Sequence, residues 1–101
     1  MGMMDMLKQA QDLQSKMKAF QDEMETAEFP GTAGGGAVTV VVNGKHELKK
    51  VSITPEAAAS GPEMLQDLVK AAVNDAGHKA NDRMKSEMSR MTGGMSLPGL
   101  F

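Results

Sequence analysis

One run of β-branched residues constrains this chain more than anything else in it. The stretch GGGAVTVVVNGKHELKKVSI, residues 34–53, sits between two long polar, methionine-rich segments. It is the one β-like run in a sequence that otherwise has the period of helices. Ala37–Val42 is a strand by composition, and Asn43-Gly44 is a strong short hairpin signal. Both residues accept the positive φ of a type I′ turn, so that turn is expected here. The return strand runs from about Lys45 to Ile53. Its alternation slips once, because Leu48 is out of phase with Val51 and Ile53. A bulge near Lys49-Lys50 reconciles them. Two strands alone are marginal in water, so a third is needed. Residues 27–34 supply it, and Pro30 confines it to a sheet edge. The sheet is expected to lay one face on the helices.

The first segment carries an apolar repeat of seven. Met3, Ala10, Met17 and Met24 fall at one position, and Met6, Leu13, Phe20 and Ala27 at the other. This predicts a helix over residues 1–28 with a narrow apolar seam, as in a coiled coil or a long antiparallel helix pair. The helix must stop before Pro30, which forces Phe29 into extended geometry. Acidic Asp22, Glu23, Glu25 and Glu28 oppose the macrodipole at that end, so packing has to hold it.

Thr54-Pro55-Glu56 predicts a short helix, with proline at the first helical position. A second start follows at Gly61-Pro62-Glu63, opening one long helix to about residue 92. Its first half carries a broad stripe of Met64, Leu65, Leu68, Val69, Ala72, Val73 and Ala76, able to cover a sheet. Its second half narrows to Ala80, Met84, Met88 and Met91. Gly77 lies between the halves and costs about 1 kcal/mol relative to alanine. Residues 93–101 read as an apolar tail. The whole is a single α+β domain of two layers in the order α-β-β-β-α, with a three-stranded antiparallel sheet and long terminal helices.

The core has to be built from Met, Val, Leu and Ala, because the chain has eleven methionines, three phenylalanines and no Trp or Tyr. Such a core packs adaptably but specifies shape weakly. Both terminal helices carry seams longer than one small sheet can shelter. A homodimer follows, with Met17, Phe20, Met24, Met84 and Met88 as candidate interface residues. The absence of cysteine excludes disulfides, thiolate metal sites and a cysteine nucleophile, and suits a reducing cytosol. His46 and His78 stand far apart without ligand spacing, so no metal site is expected. GTAGGG lacks the Gly-Lys-Ser/Thr ending of a phosphate loop and precedes a strand. No catalytic constellation, cofactor motif, small-molecule site, signal peptide or membrane span is present in the pattern.

The net charge is −2, but its distribution is uneven. Residues 1–28 hold three lysines against six acids, whereas residues 29–54 hold Lys45, Lys49 and Lys50 against Glu47 alone. The hairpin lysines, with His46, form either a small basic patch or a solubilising strand edge. Lys79, Arg83, Lys85 and Arg90 cluster in the last helix. They form either a strip for phosphates or a solvated face paired locally with Asp82 and Glu87. Lys8, Lys16 and Lys18 on the first helix pose the same choice.

Together these stretches resemble the YbaB/EbfC family of bacterial nucleoid-associated proteins. The glycine-led strand with its Asn-Gly turn carries the resemblance. So do PEMLQDLVKAAVNDAGHKA, the C-terminal MTGGMSLPGLF and the early MLKQAQDLQSKM. The resemblance covers nearly the whole chain. It implies a cytoplasmic, nucleoid-bound homodimer with protruding helices that binds double-stranded DNA and takes part in nucleoid organisation and gene regulation. The candidate DNA contacts are Lys8, Lys16, Lys18, Lys45, Lys79, Arg83, Lys85 and Arg90. A protein-interaction or holdase-like module gripping apolar partners with its methionines is the competing reading.

Overall fold

A computed structural model describes residues 2–91. The elements follow in the order α1 (Met3–Thr26), β1 (Phe29–Ala33), β2 (Val38–Val42), β3 (Leu48–Ile53), α2 (Pro55–Ala59) and α3 (Pro62–Met91). The α-β-β-β-α order and the antiparallel three-stranded sheet are those read from the sequence. The apolar tail expected over 93–101 lies outside the described residues.

The strands lie in the order β1-β2-β3, so Pro30 is on an edge, opposite Val41. The central strand β2 buries Val38, Val40 and Val42 on one face. Against them α3 packs Ala72, Ala76 and Ala80, all at most 1 % exposed. Alanine at four-residue spacing brings the helix backbone close to the sheet. Gly31 completes this approach: a Cβ there would stand 2.1 Å from the Ala72 carbonyl oxygen. Leu65, Leu68, Val69 and Phe29 fringe this core. Each buried valine contributes about 1.5–3 kcal/mol, so β2 anchors the fold. The short helix α2 starts at Thr54, whose hydroxyl accepts the Ala57 N–H, and Ala57 is buried.

The β2–β3 connection differs from the expected type I′ turn. Neither Asn43 nor Gly44 has a positive φ; the left-handed residue is His46, at φ 64°. A buried side chain organises the turn. Asn43 Oδ1 accepts the N–H groups of Lys45 and Glu47, while its Nδ2 donates to Glu25 O and Glu47 Oε1. Gly44 is required by proximity. Its N–H donates to Met24 O at 2.7 Å, and a Cβ would lie 2.4 Å from that of Met24. The bulge is where the broken alternation put it: Val41 pairs with Lys50 and Val42 with Leu48, leaving Lys49 extra.

The sheet is not covered evenly. A helix about 10 Å wide spans two strand spacings, and α3 covers β1 and β2. All six β3 residues are exposed, including Leu48, Val51 and Ile53. Nor does α1 lie on the sheet. It meets the rest of the protomer near its C-terminal end, and residues 2–19 are all exposed. The protomer is accordingly long, 67 × 26 × 16 Å.

Candidate nucleic-acid interface

The last turns of α1 lie beside the second half of α3, and this junction fixes many of the candidate residues. Phe20 and Met24 are buried there, with Met17, Met84 and Met88 around an apolar cavity of about 110 Å³. All five residues expected at a dimer interface thus meet within one protomer. Phe20 and Met24 bury their surface internally, because the seam closes on the protomer's own α3. Met17 and Met84 keep more than a third of theirs exposed. Farther out on α1, Met3, Met6 and Leu13 remain bare.

Ion pairs sort the eight candidate cations into two groups. Arg83 reaches across to Glu23 at 2.6 Å, approaches Glu87 at 3.8 Å and lies 6.0 Å above the Phe20 ring. Arg90 also pairs with Glu87. Lys45 pairs with Glu25, whose hydrogen bond holds the ammonium pKa above its usual value. Glu23 and Glu25 belong to the acidic C-terminal end of α1, so these cross-element cations offset its clash with the macrodipole. Lys79 donates to the Pro30 carbonyl at 2.8 Å and pairs with Asp75. All four are held within the protomer; of the two local partners expected on α3, Glu87 takes Arg83 and Arg90, whereas Asp82 is in none of the ion pairs among the described residues.

Lys8, Lys16, Lys18 and Lys85 form the second group. All are exposed, and none has an ion pair among the described residues. Three stand on the free length of α1 and one on the outer half of α3. Lys50 and Lys70 are likewise exposed and unpaired. Lys70 was absent from the sequence-derived set. Lys49 stays near Glu47, whose pKa is lowered first by the Asn43 hydrogen bond and then by that lysine. His46 is tied to Asn81 at 3.0 Å over Gly77.

The arrangement offers separated positive points on a projecting pair of helices. Among the described residues no group of three or more His, Cys, Asp or Glu could hold a metal ion. No described helix is long and apolar enough to cross a membrane. The model of the YbaB/EbfC DNA-binding family matches residues 1–95. The chain belongs to that family. Among YbaB/EbfC relatives, a nucleoid-associated protein of Clostridium kluyveri is 47% identical over 101 residues, covering 99% of this chain and 89% of its own. One of Pelotomaculum thermopropionicum is also 47% identical, covering 99% and 96%. These relatives carry the names of nucleoid-associated proteins, not of enzymes. A crystal structure of an uncharacterized Helicobacter pylori protein superposes with a TM-score of 0.79 over 91% of this chain and 98% of that one, at 20% identity. That likeness establishes the α+β fold for this YbaB/EbfC member.

Proposed function

We propose that this chain is a homodimeric nucleoid-associated protein that binds double-stranded DNA mainly through phosphate contacts, and so contributes to nucleoid organisation and gene regulation. Family membership and the names of the relatives support DNA as the partner. The observation that carries the phosphate reading is the unpaired, exposed state of Lys8, Lys16, Lys18 and Lys85. Unpaired ammonium groups lose no protein partner when they meet a phosphate. Such contacts position a duplex without reading its bases. The tied residues Lys45, Lys79, Arg83 and Arg90 contribute after exchanging a carboxylate for a phosphate, and so contribute less. Two copies double the number of unpaired cations that one duplex can meet. The protein then works in the cytoplasm at the nucleoid.

The test compares charge reversals. The double variant Lys16→Glu, Lys18→Glu is expected to weaken binding to a fluorescent duplex at low salt by at least tenfold. Equal affinity in variant and parent removes α1 from the interface. A second reading, a holdase-like module, is favoured by the exposed stripe of Met3, Met6 and Leu13. It requires that the protein leave DNA unbound at low salt and suppress aggregation of an unfolded client.

A further inference from the structure

Among the described residues, the apolar seam of α1 is covered over only part of its length. Its last turns close on α3 around Met17, Phe20 and Met24. From there toward the N-terminus the exposure rises, from 45 % at Leu13 to 63 % at Met6 and 86 % at Met3. An open groove of about 820 Å³ follows this flank past Ala10, Leu13 and Met17. Lys8 stands away from it, about 200° around the helix from both Met6 and Ala10. A helix draws most of its stability from packing its apolar face, so a bare seam of this length calls for a cover.

Position, length and chemistry name the occupant. Glu23 meets Arg83, and Lys16 lies with Arg90 and Met91 around a second cavity, so α3 runs antiparallel to α1. Met91, where the described residues end, also shares the apolar cavity with Met17. The chain therefore leaves α3 where the α1 seam loses its cover, heading toward Met3. The length from Met17 to Met3 is about 21 Å at 1.5 Å per residue. Ten residues follow Met91, and ten extended residues span at most about 33–36 Å. Their sequence, TGGMSLPGLF, has four large apolar side chains and no charged one. Laying it on the seam removes apolar surface from water and desolvates no ionised group of its own.

We propose that residues 92–101 continue along the free seam of α1 in the same chain, setting Leu97, Leu100 and Phe101 against Met6, Ala10 and Leu13. Gly93-Gly94 supplies the backbone freedom to leave helical geometry. The strap prolongs the line of Met84, Met88 and Met91, so the α1–α3 packing extends toward the tip of the arm. It withdraws the seam from foreign apolar partners and leaves Lys8 in water. The contact lies within one chain and stands whether or not two copies pair.

The chain has no cysteine, so a nitroxide can be attached at one introduced thiol. On Ala10→Cys it is expected to broaden the amide resonances of residues 95–101 and to spare those of α2. An unbroadened tail overturns the proposal. Nitroxide-bearing protein without isotope label, mixed with isotope-labelled parent, separates the sources. Broadening of the parent's tail in that mixture places the tail on another copy and also overturns the proposal. The triple variant Leu97→Ser, Leu100→Ser, Phe101→Ser is expected to speed amide exchange in residues 3–16 by about tenfold and to leave β2 unchanged. Equal exchange in variant and parent contradicts the strap. Should that variant fail to fold, the nitroxide measurement decides.

Discussion

Asp75 on α3 accepts the backbone N–H of Thr32 on β1 at 3.0 Å, across 43 residues of sequence. One turn later Lys79 takes the Pro30 carbonyl, and the two side chains pair at 3.5 Å. The edge strand least suited to a sheet, FPGTA, is thus held from the side by a helix.

The Thr32 hydrogen bond, followed by the nearby Lys79, lowers the Asp75 pKa below 3.8. The folded state therefore binds fewer protons than the unfolded chain as that range is crossed. The stabilisation is fully present above the unfolded value and is lost as pH falls through the lower folded one. Asp75→Asn is expected to reduce stability at neutral pH and to flatten the acid limb of a denaturation series. Glu47, whose pKa is also lowered, keeps its share of that limb. An acid limb unchanged in the variant contradicts this role.

Two glycines facing α3 or lying within it are expected to respond in opposite directions to alanine. Gly31→Ala drives a methyl into the Ala72 and Ala76 backbone and is predicted to cost more than about 3 kcal/mol in urea unfolding. Gly77→Ala meets nothing nearer than the His46 ring at 3.6 Å, an ordinary contact. It is predicted to stabilise by about 0.5–1 kcal/mol through helix propensity. Equal effects at the two sites would contradict the packing described.

Asn43 is 2 % exposed and makes four hydrogen bonds. Asn43→Ala removes all four bonds and leaves the part-buried Lys45 and Glu47 N–H groups without that acceptor, at a predicted cost of about 2–4 kcal/mol. It also unties the turn from Glu25, so α1 should lose amide protection before the sheet does. Hydrogen exchange reads that order; simultaneous loss contradicts it.

Local chemistry made most of the fold legible. Pro55 and Pro62 mark helix starts, the seven-residue repeat marks α1, and the slip at Leu48 locates the bulge. The turn was misread because its cause is distant. Gly44 answers to Met24, and the left-handed residue is His46, two positions beyond the Asn-Gly pair. The seam on α1 was visible, but a repeat does not name its partner, and its last two turns close on α3. The cations divided for the same reason. Glu87 lies four residues after Arg83 and three before Arg90 and could be foreseen. Glu23 lies 60 residues from Arg83 and Glu25 lies 20 from Lys45, so neither could. Which lysines stay free is a property of the folded protomer.

The most direct measurement of the central claim is the salt dependence of duplex binding. The four unpaired lysines proposed to contact phosphate, Lys8, Lys16, Lys18 and Lys85, become eight in a dimer. At about 0.9 per neutralised phosphate, the log–log slope reaches roughly −7 if all engage, and about −4 if half do. Binding at low salt is predicted with a slope between roughly −4 and −7, made shallower by Lys16→Glu, Lys18→Glu. No binding at low salt, or affinity indifferent to salt, contradicts it.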